Sequence, residues 1–341
     1  MAVQRTTIKI VKVIRLIRFL LVLIGAMFIV TVRRLARGPV HPLFFWRKEL
    51  VAHILRRGIQ EGLNLPLAVA RRRLPPAPIP RSLTGLVHHA TGGKLAGRRV
   101  ELMTPDGWRE GLPEVLYLHG GGYVSCSPAT HRELVARIAA ASGARCHALD
   151  YRLAPEDPFP AALDDCVAAY HELLARGSEP GRLLLAGDSA GGGLAVAMLV
   201  RLRQEGAPLP AGAALLSPWV DLSCAGESLQ ANARYCYLVP AALELYAALY
   251  LQETDADEPL ASPLRADLTG LPPLLIQTGS VEGIHSEILE LARRATEAGV
   301  QTTLQVGEGM FHVWQAFARV LPEGLPYIDR IGEFIRSRCA R

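Results

Sequence analysis

Three short stretches of the chain hold the residues most able to do chemistry. Gly187-Asp188-Ser189-Ala190-Gly191 follows the apolar run RLLLAG (182–187) and opens a segment with helical spacing. A serine on a sharp strand-to-helix turn stands out above the sheet, and small residues flank it because a Cβ at Gly187 or Gly191 would strike the neighbouring strand or helix. The helix N-terminus also favours negative charge developing beside it. The pattern G-x-S-x-G alone arises by chance in about one chain in ten of this length, so the strand–turn–helix setting is the informative part.

His119-Gly120-Gly121-Gly122-Tyr123 ends a second apolar run, EVLYL (114–118). Three successive glycines let a bound group approach the backbone, whose free N–H groups can donate to an oxyanion. In acyl transfer each well-aimed donor contributes roughly 2.7–4 kcal/mol. A phosphate loop is the other reading of such glycines, but the chain has no GxxxxGK[ST] and no GxGxxG opening a helix.

A nucleophilic serine needs a base, and beyond residue 171 the only histidines are His285 and His312. His312 follows the strand-like run TTLQVG (302–307) in a short loop, where it can reach over the strand ends, so it is the expected base. His285 starts a helical stretch and reads as a surface residue. The acid should follow another strand: PLLIQTG (273–279) ends three residues before Glu282. Glu287, one helical turn on, is the alternative. The order Ser189, Glu282, His312 is that of the α/β hydrolases. In such a set the carboxylate holds the imidazole tautomer and stabilises the imidazolium.

The elements that must position these residues read as strand–helix alternation. Strand candidates are 114–118, 144–150, 182–187, 212–218, 273–279 and 302–307; helix candidates are 161–176, 190–205, 284–298 and 324–339. Continuous apolar strands between helices predict a mostly parallel sheet covered on both faces. The stretch 223–262 breaks the rhythm and reads as an insertion. With 341 residues, half of them hydrophobic, the chain can form one large α/β domain with extras or two average domains.

The net charge of +5 is uneven. Residues 1–81 hold sixteen Lys/Arg against two acids, and the remainder is mildly acidic. Arginines interleaved with aliphatic residues, and no nucleic-acid motif, argue for an anionic membrane surface over nucleic acid. Phe19–Val32 carries no charge but spans only about 21 Å; counted from Val13, across Arg15 and Arg18, the run reaches about 30 Å, the thickness of a hydrocarbon core. Residues 1–37 are therefore expected to be a membrane anchor in contact with lipid. This would put the protein at a bacterial inner membrane, with the side of the catalytic part left open. A helix lying in the interface, a cleaved signal and a cap helix are the alternatives. An aromatic cluster (Phe44-Phe45-Trp46), a helical stretch and the linker LPPAPIPRS (74–82) follow. The expected organisation is an anchor at 1–37, a cap segment and proline-rich linker at 38–82, and a catalytic domain at 83–341 with a cap insertion at about 223–262. The six cysteines show no metal-ligand spacing, and the motifs call for no metal and no cofactor.

Taken together, HGGGYVSCSPATHR (119–132), YRLAPEDPFPAALDD (151–165), GDSAGGGLA (187–195), SPWVDL (217–222) and GMFHVW (309–314) resemble the bacterial hormone-sensitive-lipase-like esterases. The resemblance runs from about residue 80 to the C-terminus. It implies an α/β-hydrolase fold with a mostly parallel eight-stranded sheet, flanking helices and a helical cap. It also implies metal-free hydrolysis of carboxylic esters through an acyl-enzyme; the leading expectation is an esterase for short-to-medium acyl esters, lipid-derived ones included. Carried over by position, the oxyanion donors are the N–H groups of Gly121, Gly122 and Ala190, and Tyr123, Asp188 and Trp219 fall at the substrate pocket. The chain departs from the family in having Glu282-Gly283-Ile284 where many members have Asp-Pro-Leu. A non-catalytic receptor for a small ligand on the same fold is a competing reading, opposed by the presence of His312. A hydrolase of an amide, lactone or polyester is another, since the acyl chemistry is shared.

Overall fold

A computed structural model describes residues 21–339. Its centre is one sheet of eight strands: β1 (Val87–Leu95), β2 (Arg98–Pro105), β3 (Glu114–Leu118), β4 (Arg145–Leu149), β5 (Leu183–Asp188), β6 (Ala213–Leu216), β7 (Leu274–Gly279) and β8 (Thr302–Gly307). The spatial order is β1-β2-β4-β3-β5-β6-β7-β8. The pairs β1/β2 and β2/β4 are antiparallel, and all others are parallel. Every strand read from the sequence is present. The edge strand β1 and its neighbour β2 carry no apolar run; the middle of β1 is exposed, so composition gave no sign of them.

Two layers of helix cover the sheet because its strands alternate. Val115 and Tyr117 of β3 face α4 (Pro128–Ser142) and α10 (Leu325–Cys339). Leu116 and Leu118 face α5 (Ala161–Ala175) and α6 (Ala190–Gln204). Each fully buried leucine of this kind stabilises the fold by roughly 1.5–3 kcal/mol. Helix α9 (His285–Glu297) joins β7 to β8 and packs its Ile288 and Leu291 into the second of these layers.

Helices from two remote segments lie over the C-terminal strand ends. The N-terminal segment supplies α2 (Trp46–Leu63) and α3 (Leu67–Arg72); the insertion supplies α7 (Glu227–Ala231) and α8 (Pro240–Leu251). Arg56 of α2 donates to the carbonyls of Ala233 and Cys236. Arg71 of α3 donates to the carbonyls of Val124 and Ala154 and pairs with Glu156. Lys48 of α2 is buried and donates to the carbonyl of Gly309, just past β8, at 3.0 Å.

The expected membrane anchor is corrected here. Residues 1–20 lie outside the described residues; 21–37 form a helix, α1. No described helix is long and apolar enough to cross a membrane. One face of α1 is taken up by protein: Ala26 and Val30 are buried with Leu50, beside Trp46 and Ile54. The indole Nε1 of Trp46 donates to Thr31 Oγ1 at 3.0 Å, and Arg33 and Arg34 both pair with the buried Glu49. Arg33 and Arg34 therefore neutralise a buried carboxylate, and the single-span anchor in a bacterial inner membrane is not retained.

Candidate active site

Ser189 sits between β5 and α6 with φ 52° and ψ −123°, a conformation costing of order 1–3 kcal/mol in a residue with a Cβ. Its surroundings hold it there. The Ser189 N–H donates to the Leu216 carbonyl at the end of β6, and its own carbonyl accepts from Trp219, Gly192 and Gly193. A Cβ on Gly191 would lie 2.0 Å from the Leu118 carbonyl oxygen, and one on Gly187 would lie 2.4 Å from that of Gly191. Only glycine lets β3, β5 and α6 approach this closely.

The glycine loop continues β3. Gly121 has φ 116°, and a Cβ there would meet the Ser125 carbonyl oxygen at 2.3 Å. The Gly121 carbonyl accepts from Val124 N, Ser125 N and Ser125 Oγ. Among the described residues, the N–H groups of Gly121, Gly122 and Ala190 meet no protein acceptor. Three backbone donors beside the serine turn are therefore left without a protein partner.

Glu282 and His312 are brought together from the ends of β7 and β8. Glu282 Oε2 accepts from His312 Nδ1 at 3.0 Å, with both side chains buried. The other carboxylate oxygen accepts from Gly279 N and from the Thr278 hydroxyl. His312 Nε2 is buried and has no partner among the described residues. The next residue, Val313, donates its N–H to Ser217 Oγ at 3.1 Å. Ser217 directly follows Leu216, which holds Ser189. One strand end, that of β6, thus fixes both the serine turn and the histidine loop. Glu287, the alternative acid, is also buried but bonds Ser286 and packs on Gly226; no bond joins it to His312.

Asp188 is placed differently from the sequence expectation of a pocket residue. Its Oδ1 accepts from the Tyr117 hydroxyl at 2.6 Å and from Gly120 N at 3.0 Å, and its Oδ2 lies 3.2 Å from His131 Nε2. The carboxylate is fully committed beneath the glycine loop. Burial pushes it up, but His131, Tyr117 and His119 together outweigh this and hold it below the usual carboxylate range. Burial likewise lowers His131, and Asp188 more than compensates, so its imidazole is more basic than normal. His119 stacks on Tyr151 at 4.3 Å. Burial, with His131 beside it, brings its pKa down to about 3, so it stays neutral.

Tyr123 and Trp219 are buried, their rings 5.8 Å apart, and Tyr123 stacks on Tyr250 of α8 at 3.9 Å. They frame the floor beside the serine turn: the Trp219 carbonyl and the Tyr123 hydroxyl both press on Gly193. Two aromatic neighbours of the site escaped the sequence reading. Tyr246 packs on Gly122, and the Tyr237 ring lies 5.9 Å from that of His312. The spacing Tyr246–Tyr250 puts both on one face of α8 and was the one available signal. His285 is not a surface residue: it is half-buried, its Nδ1 3.0 Å from Thr278 Oγ1. A cavity of about 330 Å³ lined by Trp108, Glu114 and Arg145 lies at the opposite end of β3 from the glycine loop and is separate from this site.

The fold and this constellation define an α/β hydrolase. The family described as alpha/beta hydrolase fold matches residues 115–316. An acetyl-hydrolase of Streptomyces hygroscopicus is 51% identical over 224 residues, which is 65% of this chain and 75% of that protein. An esterase from the bacterial hormone-sensitive lipase family is similar in structure, with TM-score 0.77 and 45% identity over 84% of this chain and 97% of its own. EstE5, in a crystal soaked with p-nitrophenyl butyrate, matches with TM-score 0.81 and 41% identity over 86% and 99%. The chain belongs to the α/β-hydrolase family and, within it, to the hormone-sensitive-lipase-like esterases. It is a carboxylesterase-like ester hydrolase.

Proposed function

We propose that the chain hydrolyses short-to-medium acyl esters through an acyl-enzyme on Ser189. The observation that supports this best is the buried Glu282–His312 hydrogen bond, which leaves His312 Nε2 free at the strand end that also holds Ser189. In this reading His312 Nε2 takes the Ser189 proton as Oγ attacks the ester carbonyl carbon. The carbonyl oxygen becomes an oxyanion facing the N–H groups of Gly121, Gly122 and Ala190. The C–O bond to the alcohol breaks, and the imidazolium returns its proton to the leaving oxygen. Water then attacks the acyl-Ser189, giving its proton to His312, and the acid is released with Oγ reprotonated. Glu282 stabilises the imidazolium in both halves.

The small residues and aromatic rings close to the loop, Tyr246 over Gly122 and Tyr237 beside His312, favour compact acyl groups. The acetyl-hydrolase name of the Streptomyces relative points the same way. The segment 38–82 and the insertion at about 223–262 act as a cap on a catalytic body of 83–341. The test is a p-nitrophenyl ester series from acetate to long chains, run with the wild type and Ser189→Ala. Turnover should be greatest for acetate to butyrate and lost in the variant, and mass spectrometry of quenched wild type should find the acyl group on Ser189. Near-wild-type turnover by Ser189→Ala overturns the mechanism.

A further inference from the structure

A second histidine reaches the same carboxylate from the other side. Thr278 is the last residue but one of β7 and is fully buried. Its hydroxyl donates to Glu282 Oε1, and the same oxygen lies 3.0 Å from His285 Nδ1. A hydroxyl has one proton and two lone pairs. An ionised carboxylate can only accept, so that proton belongs to Glu282, and the Thr278 oxygen must accept from His285. His285 therefore carries its proton on Nδ1, as His312 does toward Glu282 Oε2. Two imidazoles converge on one buried carboxylate, one directly and one through a threonine.

We infer that His285 and Thr278 are positioning residues for the triad acid: His285 locks the Thr278 hydroxyl so that Glu282 is held in the orientation His312 requires. This rests on the reading of Glu282 and His312 as acid and base. The carboxylate has two degrees of freedom that matter, its rotation about the Cγ–Cδ bond and its swing about the side chain. Oε2 alone cannot fix both. The Gly279 N–H at 3.2 Å fixes Oε1 from the backbone, and the Thr278 hydroxyl proton is the second, fully buried anchor. A threonine hydroxyl free to rotate would share its proton between acceptors; a donor at its lone pair removes that freedom. The arrangement persists whichever way Nε2 of His285 titrates, since the Nδ1–H is present in both forms. Burial favours the neutral ring, partly offset by Glu282 and Glu308. His285 supplies this bond from the first turn of α9, the helix that joins β7 to β8.

Steady-state kinetics of the full chain on p-nitrophenyl acetate tests the inference with two matched pairs. Thr278→Val and His285→Leu keep the volume and remove the hydroxyl or the donor. Thr278→Ser keeps the hydroxyl, and His285→Asn places an amide N–H where Nδ1–H stood. The first of each pair should lower kcat about 10-fold, the lower end of the range known for partners that orient metal-bound imidazoles, with KM within about twofold. The second of each pair should recover most of the loss at equal thermal stability. The far-downfield proton of His312 Nδ1–H should shift in Thr278→Val and His285→Leu and return in the rescuing variants. Wild-type kcat in Thr278→Val, or equal losses in His285→Leu and His285→Asn, overturns the inference. If one leucine or valine variant does not fold, the other pair decides. Ser189→Ala run alongside separates the two readings: retained activity there sinks the serine mechanism, whereas an inactive Ser189→Ala with unaffected Thr278 and His285 variants sinks only this inference.

Discussion

The Asp188 carboxylate accepts the Gly120 N–H at 3.0 Å, so the residue before the serine holds the start of the loop that carries Gly121 and Gly122. The serine turn and the glycine loop are one unit because a single buried side chain joins them. Its other partners, Tyr117 and His131, tie that unit to β3 and to the first turn of α4.

Asp188→Ala should therefore damage both stability and chemistry. It strands His131, the Tyr117 hydroxyl and the Gly120 N–H without an acceptor, which costs about 3 kcal/mol or more for a buried ionic partner. Displaced oxyanion donors should lower kcat by about 10²-fold. Urea unfolding and kinetics on p-nitrophenyl acetate read the two effects separately; a variant with wild-type kcat would show that the loop does not need this anchor.

The same pair predicts a pH dependence of stability. His131 is more basic folded than unfolded, so its contribution is complete below the ordinary histidine range and is lost as pH rises through the raised folded value. Asp188 is more acidic folded, so its contribution is present above the ordinary aspartate range and is lost as pH falls through the lowered value. The pair stabilises most between about pH 4 and pH 6.5, the two unperturbed values. His131→Gln should lose the most unfolding free energy against wild type in that window, and the difference should shrink toward pH 9. Besides Asp188, the rings of Tyr117 and His119 lie 6.3 and 5.7 Å from that of His131; burial raises Tyr117 well above its usual range and His119 is lowered to about 3, so both stay neutral throughout that window. A pH-independent difference in urea unfolding would contradict this.

Glu282→Gln should reduce kcat by about 10⁴-fold with the fold intact, by analogy with neutralised triad acids. Glu287→Gln should stay within a few-fold of wild type, because Glu287 bonds Ser286 and not the histidine. A larger loss at Glu287 would reassign the acid.

Lys48 connects the N-terminal segment to the histidine loop. It is buried, donates to the carbonyls of Leu43 and Gly309, and lies 4.9 Å from the centre of the Phe45 ring. Burial makes its ammonium less basic than usual. Lys48→Met keeps the stem and removes both bonds, so Gly309 loses a donor three residues before His312. Expected are a kcat reduced about 10-fold and a melting temperature lowered by several degrees, as for the loss of about 1–2 kcal/mol. Removing residues 1–37 should also destabilise, since it takes Arg33 and Arg34 from the buried Glu49. A shortened chain as stable as the full one in thermal unfolding would refute that contact.

The sequence by itself determined the sheet's central strands, the serine turn, the glycine loop and the order Ser189, Glu282, His312. These are local: an apolar run, a glycine where backbones cross closely, and a helical period announce themselves within a dozen residues. The tertiary structure decided what depends on partners far along the chain. Asp188 looked like a pocket residue until β3 and α4 placed Tyr117, Gly120 and His131 around its carboxylate. His285 looked exposed because a helix start says nothing of the threonine at the preceding strand end. Residues 21–37 have the same hydropathy whether their apolar face meets lipid or protein. Only the tertiary structure shows Ala26 and Val30 of this helix buried against Leu50, and Arg33 and Arg34 paired with Glu49, while Leu21, Ile24 and Phe28 stay exposed, because burial is a property of the neighbours and not of the residues buried.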